Sequence, residues 1–380
     1  MPEPATAAER PARDWFMLAG LAVAALAAGW VLLSFTVFPD AEAWGYDYGA
    51  YVDAAERLAQ TGSLYQEETL SGPYRPGPFG LYMYAPPLGV AISPLTRLSL
   101  EAGTLFWFIL HVAALALACA LMPVRFAIRL AAFGVGALSF AVTRDLVLGN
   151  VSVLLLLPMV AAWRWLDRPA GSAALALAIS VRPTLGIFLV WQLLRRRWRA
   201  LTWTIGAGLV IILATLPVVG IEGYREYLSV LANMSDVSGV ERNVDLGSTA
   251  LSLGASGTVA SLALLAGYGL AIAALLLSLR RDAELGFMVT SGAALLLSPL
   301  LWDHYLAALI LPAAFLAARG RPVGILLPLL SWLPAELLGV VAVVATISPF
   351  WAARPREVIE LVRAGAAGTA SVALPGLARR

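Results

Sequence analysis

The sequence has no lysine: all 26 of its basic residues are arginine. A phosphate loop of the form GxxxxGK followed by Ser or Thr is therefore impossible, and a nucleotide-hydrolysing pump built on such a loop is excluded. There is one cysteine, Cys119, inside an apolar run, so there is no internal disulfide and no cysteine metal cluster. The two histidines, His111 and His304, are too few for a zinc site of the usual kind. Charged residues make up only 13% of the chain, about half the share of an ordinary soluble domain. Any chemistry must rest on carboxylates, arginines and one histidine. No metal, no cofactor and no nucleic-acid partner is expected; the formal net charge of +2 says little about partners, because in a membrane chain the placement of charges carries the information.

What is abundant is apolar: 60% of residues are hydrophobic and the mean hydropathy is +0.80. The expected fold class is an all-α polytopic membrane protein, one integral membrane domain over 1–380. Trp15 to Phe38 carries no charge, a stretch of about 36 Å as helix, enough to cross a hydrocarbon core of about 30 Å. Arg10 and Arg13 precede it, which by the positive-inside rule makes 1–14 a cytoplasmic N-terminus. Residues 39–98 then form an outer, partly interfacial first loop; it holds Asp40, Glu42, Asp47, Asp53, Glu56, Glu67 and Glu68. The apolar run Phe79 to Leu98 contains Pro86, Pro87 and Pro94 and is expected to lie in the interface without crossing. The arginine-only usage with abundant Ala, Leu, Gly and Pro suggests GC-rich bacterial coding, and hence a bacterial inner membrane.

Between Arg168 and the RRRWR run at 195–199 the apolar stretch is interrupted by Arg182 and Pro183. Both basic flanks belong on the cytoplasmic side, so the spacing predicts a broken hairpin of two short helices with Arg182 near its tip; the alternative is a single proline-kinked span with one arginine cluster outside. A second polar outer loop over 221–250 and an arginine-rich cytoplasmic tail over 354–380 complete the outline, with ten to twelve crossings. Three groups converge on the outer face: the acidic first loop, Arg182, and the Trp302–Tyr305 corner. A charge at membrane depth marks a functional site by default. The planar guanidinium of Arg182 suits a lipid phosphate. A loop carboxylate, Asp47 or Asp53, can take a proton from an attacking hydroxyl, and His304 can donate to a leaving phosphate or orient a carboxylate. A transporter or lipid-linked sugar flippase is the alternative, and it predicts internal repeats and charges spread through the bilayer depth; no repeat is evident.

The runs DYGAYVDAAERLAQTGSLY (47–65), YMYAPPLGVAISPLTRL (82–98), LGNVSVLLLL (148–157), ISVRPTLGIFLVWQLLRRRWRAL (179–201) and LLLSPLLWDHYLAALILP (295–312) occur in an order that resembles glycosyltransferase family 87. The resemblance implies the GT-C membrane fold and a polyprenyl-phosphate-mannose-dependent mannosyltransferase. Such an enzyme passes the sugar, with inversion, to an acceptor hydroxyl of a glycolipid or glycan at the periplasmic face of the bilayer. It implies that Asp47, which begins a DxxxY pattern, is the general base and that Tyr51 is the tyrosine of that pattern. Tyr84, Pro86 and Pro87 match a YPP motif with Ala85 inserted, and Asn150 falls in a GQxN-like motif that here reads GNVS. Arg182 stands where a KP motif carries lysine. Ser298, Pro299, Trp302, Asp303 and His304 match an SPxxWxH corner. On this footing Asp47 and His304 are expected to be catalytic, Arg182 and His304 to bind the donor phosphate, and Tyr51, Tyr84, Asn150, Trp302 and Asp303 to contact substrate.

Overall fold

The computed structural model describes residues 17–30 except 18 and 28, 44–71, 81–233 and 243–352. The expected N-terminus 1–14, the C-terminal tail 354–380, and the loop stretches around 72–80 and 234–242 lie outside the described residues. Among the described residues the structure is helical throughout, without a strand. Four helical stretches are long and apolar enough to cross a membrane: Leu100–Leu121, Trp198–Asn233, Gly257–Ser278 and Ala335–Ala352. The pair Phe126–Ala137 and Phe140–Leu148, bent by 63°, brings this to five if it is one span. Six shorter apolar helices of 10–17 residues accompany them among the described residues.

The apolar residues sort by exposure as bilayer solvation requires. Ala283–Leu296 is buried from Leu285 to Leu296 without interruption, which makes it a central helix enclosed on all sides. Trp198–Asn233 and Gly257–Ser278, in contrast, expose Leu209, Val210, Leu213, Leu262 and Leu265. Apolar faces of that extent are stable only against lipid or protein. The long Trp198–Asn233 stretch breaks at Gly220, whose φ of 65° and ψ of 178° are non-helical, just after Pro217. Its outer half folds over the first loop: Asn233 Nδ2 donates to the carbonyls of Thr69 and Leu70 at 3.0 and 2.9 Å, and Ser63 Oγ donates to Glu226 Oε2 at 2.8 Å.

Charge placement separates two ends. Arg164 donates to the Leu121 carbonyl at 3.0 Å, and Arg197 reaches the Leu166 carbonyl and Asp167, both at 2.6 Å. Arg195 binds the Arg281 carbonyl at 2.6 Å, Arg319 pairs with Asp282 and Glu284, and Arg321 binds the Trp351 carbonyl at 3.1 Å. These contacts link one basic end of the bundle. The Arg197–Asp167 contact brings both flanks of the 168–199 stretch to that end, while Arg182, between Pro169–Val181 and Ile187–Leu194, binds Ser152 at the other. The stretch is thus a broken hairpin with Arg182 at its tip. The Phe79–Leu98 run is, over its described part, a helix Pro86–Ile92 followed by a 3-10 turn Ser93–Arg97. At about 1.5 Å per residue that helix is roughly 10 Å long, too short to span.

A close backbone approach joins Ala283–Leu296 to Ala335–Ile347. A Cβ added at Gly292 would stand 2.5 Å from Thr346 Cα and 2.6 Å from its nitrogen, and backbone cannot step aside as a flexible side chain does. Small residues at such crossings let membrane helices pack closely. Gly292→Ala is expected to destabilise the protein by about 1–3 kcal/mol, seen as a lower thermal unfolding midpoint in detergent. An unchanged midpoint would mean that this crossing is not tight in the folded protein.

Candidate active site

The site forms at the end opposite the arginine clusters, where one tight turn gathers residues from four parts of the chain. Phe140–Leu148 ends at Gly149, which takes the left-handed conformation at φ 69°, the usual way a helix closes on glycine. An added Cβ there would also meet Tyr48 Cβ at 2.9 Å. Three residues later Ser152–Arg164 begins, so Asn150 and Ser152 protrude from the turn between two helices.

The first-loop helix Tyr46–Thr61 is docked onto this turn at its start. Gly45, at φ 71°, donates its N–H to the Val147 carbonyl at 2.8 Å, and Trp107 Nε1 donates to the Gly149 carbonyl at 2.8 Å. This puts Asp47, in the first turn of the helix, beside Asn150, whose Nδ2 donates to Asp47 Oδ2 at 2.7 Å. An ionised carboxylate only accepts, so the amide nitrogen faces it and Asn150 Oδ1 turns to Ser152 Oγ at 3.0 Å. The Tyr84 hydroxyl lies 2.9 Å from Asn150 Nδ2.

Ser152 Oγ in turn accepts from Arg182 Nη2 at 2.8 Å. The guanidinium lies flat over Tyr305, with Cζ 3.6 Å from the ring centroid, a cation–π contact that holds the charge without neutralising it. Its Nε is buried with no partner among the described residues. Arg182 and Tyr305 line a small pocket together with Leu155, Leu156, Met159, Leu295 and Leu311. At the SPxxWxH corner, Asp303 Oδ1 accepts the His304 backbone N–H at 2.6 Å and lies 3.2 Å from His304 Nδ1. Trp302 stacks on the imidazole, with centroids 6.5 Å apart and planes 11° apart. His304 is 4% exposed, and its Nε2 has no partner among the described residues. The corner is anchored from behind by Asn243, whose Oδ1 accepts the Leu301 N–H at 3.0 Å.

Burial raises the carboxyls of both Asp47 and Asp53, and their charged neighbours separate them. The Tyr46–Thr61 helix is not one of the candidate spans. Burial pushes the Asp47 carboxyl above the usual carboxylate range, against the pull of His304, the Asn150 hydrogen bond and Arg144, while Asp303 adds to the rise. Asp53 is not brought in: its charged neighbours are Arg57 and Glu56 on its own helix.

Of the residues singled out from sequence, Asp47, Tyr84, Asn150 and Arg182 thus share one hydrogen-bonded network through Ser152, with Asp303 and His304 beside it. Tyr51 stands behind: it is 1% exposed and packs edge-on against Tyr84 at 5.3 Å. Sequence reasoning passed over Ser152, Asp145 and His111. Asp145 and His111 had a signal, since each is an ionisable group inside an apolar run; Ser152 had a weaker one, as the last position of the GNVS run set against GQxN, but only the turn makes it a bridge. Among the described residues no three His, Cys, Asp or Glu side chains converge as metal ligands.

The sequence profile of glycosyltransferase family 87 matches residues 82–301, which takes in Tyr84, Asn150 and Arg182 and stops just short of the Trp302–His304 corner. The chain is also similar to α-(1→3)-arabinofuranosyltransferases of Mycobacterium tuberculosis, strains CDC 1551 / Oshkosh and ATCC 25618 / H37Rv, at 31% identity over 150 residues. That match covers 36% of this chain and 35% of each relative, so it spans about a third of the curated proteins. No solved structure matches.

Proposed function

Because the chain belongs to glycosyltransferase family 87 and is a membrane glycosyltransferase, we propose that it moves a sugar from a polyprenyl-phosphate donor to an acceptor hydroxyl. The observation that carries this reading is the Asp47–Asn150–Ser152–Arg182 network, which links a carboxylate to a guanidinium with free donor capacity. The small pocket beside Arg182 is lined mostly by apolar side chains, the kind of surface against which a prenyl chain would rest.

In the proposed reaction the acceptor oxygen attacks the anomeric carbon as Asp47 takes its proton. The bond from that carbon to the phosphate oxygen breaks, and its electron pair leaves with the phosphate. Arg182 Nε and His304 Nε2 supply donors to that anion, and attack from the opposite side inverts the centre. Fixed donors aimed at developing charge in a poorly hydrated site are usually the largest single contribution to such a rate. Tyr84, Asn150, Trp302 and Asp303 complete the proposed walls around the sugar, with Tyr51 packed behind Tyr84. The acceptor is a glycolipid or glycan. The whole chain is read as crossing a bacterial inner membrane ten to twelve times, with the site facing the periplasm and the arginine-rich end in the cytoplasm.

Mannose is the sugar implied by the sequence resemblance; the partial similarity to arabinofuranosyltransferases favours arabinofuranose as the second reading. Membranes containing the protein should transfer label from polyprenyl-phosphate mannose, or from the arabinofuranosyl donor, to endogenous lipid acceptors. Transfer from one donor alone assigns the sugar. Absence of transfer from either, beside a family member active in the same membranes, would overturn the donor class.

A further inference from the structure

Two ionisable side chains lie beneath the site and touch none of the reacting groups. His111 stands midway along Leu100–Leu121, one of the candidate spans, and Asp145 is on Phe140–Leu148; both are fully buried. Asp145 Oδ2 is 3.6 Å from His111 Nε2. Groups of this kind are costly at membrane depth and persist where they are used.

The contacts of the two ring nitrogens bear on the charge of the imidazole. His111 Nδ1 is 2.7 Å from the Trp107 carbonyl oxygen, and Nε2 meets the Asn150 carbonyl oxygen. A carbonyl only accepts, so both ring nitrogens must carry a proton to make both bonds. A ring protonated twice is a cation, and the adjacent carboxylate is its counter-charge. Asp145 also holds the turn itself. Its carboxylate accepts the N–H groups of Ser152 and Val153 at 3.1 and 2.9 Å, and its carbonyl accepts those of Gly149 and Asn150 at 2.9 and 3.1 Å. Asp145 therefore ties four backbone amides of the 149–153 turn, and His111 holds one of its carbonyls.

We propose that His111 and Asp145 form a buried imidazolium–carboxylate pair that positions the 149–153 turn and so fixes Asp47 relative to Arg182. The turn carries Asn150, which grips Asp47, and Ser152, which grips Arg182; moving it loosens both at once. Arg182 and Asp47 are the other charges that act on Asp145. Asp47 itself faces His304, Arg144 and Asp303. His111 and Asp145 are positioning residues, and their effect on rate rests on the reaction proposed above; their charge state does not.

With only two histidines in the chain, nitrogen-15 histidine labelling of the full-length protein, purified without a histidine tag into lipid nanodiscs, resolves each ring. The spectrum of His304→Gln assigns His111. Both His111 nitrogens are expected to show attached protons from about pH 6 to about pH 8, and a bare ring nitrogen would overturn the pair. In the transfer assay, Asp145→Asn leaves a lone buried cation and is expected to lower kcat at least about tenfold, with the loss partly restored in His111→Gln/Asp145→Asn. His111→Gln is expected to move the acid limb of the pH–rate profile upward, because Asn150 is then held less firmly against the Asp47 carboxylate. A double variant no better than the worse single, with an unmoved acid limb, would overturn the positioning role. If the variants do not fold, the wild-type spectrum still decides the charge state. Failure of the proposed reaction alone would appear as no transfer with both nitrogens protonated.

Discussion

Asp47→Asn is expected to lower the rate of sugar transfer at saturating substrates by about 10²–10⁴-fold, the range of a lost general base, while its unfolding midpoint stays equal to or above that of the wild type. The two halves have one cause. Burial raises the carboxyl above its ordinary range, so the folded state favours the protonated form and holding Asp47 ionised at neutral pH opposes folding. The sign follows from linkage: a carboxyl with a raised folded pKa stabilises the protein below its unfolded pKa and loses that contribution as pH rises through the folded one. The neutral asparagine keeps an oxygen for Asn150 Nδ2, 2.7 Å away in the wild type, without the charge. Activity has the opposite pH dependence. It needs the ionised form, so it is lost as pH falls through the raised pKa, at a pH above that of an ordinary carboxylate. Circular dichroism melts beside a transfer assay over a pH series measure both. Equal transfer by the variant would remove Asp47 from the chemistry.

Arg182→Gln is expected to cost about 10²–10³-fold in kcat, the loss typical of one fixed donor to a developing anion. Arg182→Lys should keep more. The guanidinium donates to Ser152 Oγ and lies over Tyr305 while leaving Nε uncommitted. An ammonium supplies the charge but has no planar fork to meet all three demands, so a loss of about tenfold is expected, between wild type and glutamine. Lysine is also what the resembling KP motif carries at this position. Single-turnover rates with polyprenyl-phosphate sugar separate the chemical step from binding. A glutamine variant that loses donor affinity but keeps its single-turnover rate would make Arg182 a ground-state anchor only.

A proline-rich apolar run could be refused as a span on sequence grounds because Pro86, Pro87 and Pro94 cannot sit inside one straight helix. Similarly, the arginine clusters flanking Pro169–Val181 and Ile187–Leu194 favoured both ends of that stretch on one side over a single kinked span. The Arg197–Asp167 contact closes that hairpin. The Asp47, Arg182 and His304 positions were legible as charges near an interface and through ordered local motifs. The number of crossings was less so: hydropathy does not separate a helix enclosed by protein, such as Ala283–Leu296, from one of similar composition facing lipid.

The sequence alone therefore determined the solvent, the helical class, the basic end and the residue types available for catalysis, because a hydrocarbon core penalises charge and unpaired backbone wherever they fall along the chain. Only the tertiary structure decided which carboxylate meets the arginine. Asp47 and Asp53 lie on the same helix, and what separates them is a turn some hundred residues later, where Asn150 and Ser152 bridge to Arg182 from a backbone held by Asp145 and His111. Hydrogen bonds between groups that far apart in sequence depend on directions and distances of about 3 Å, and those exist only once the helices have packed.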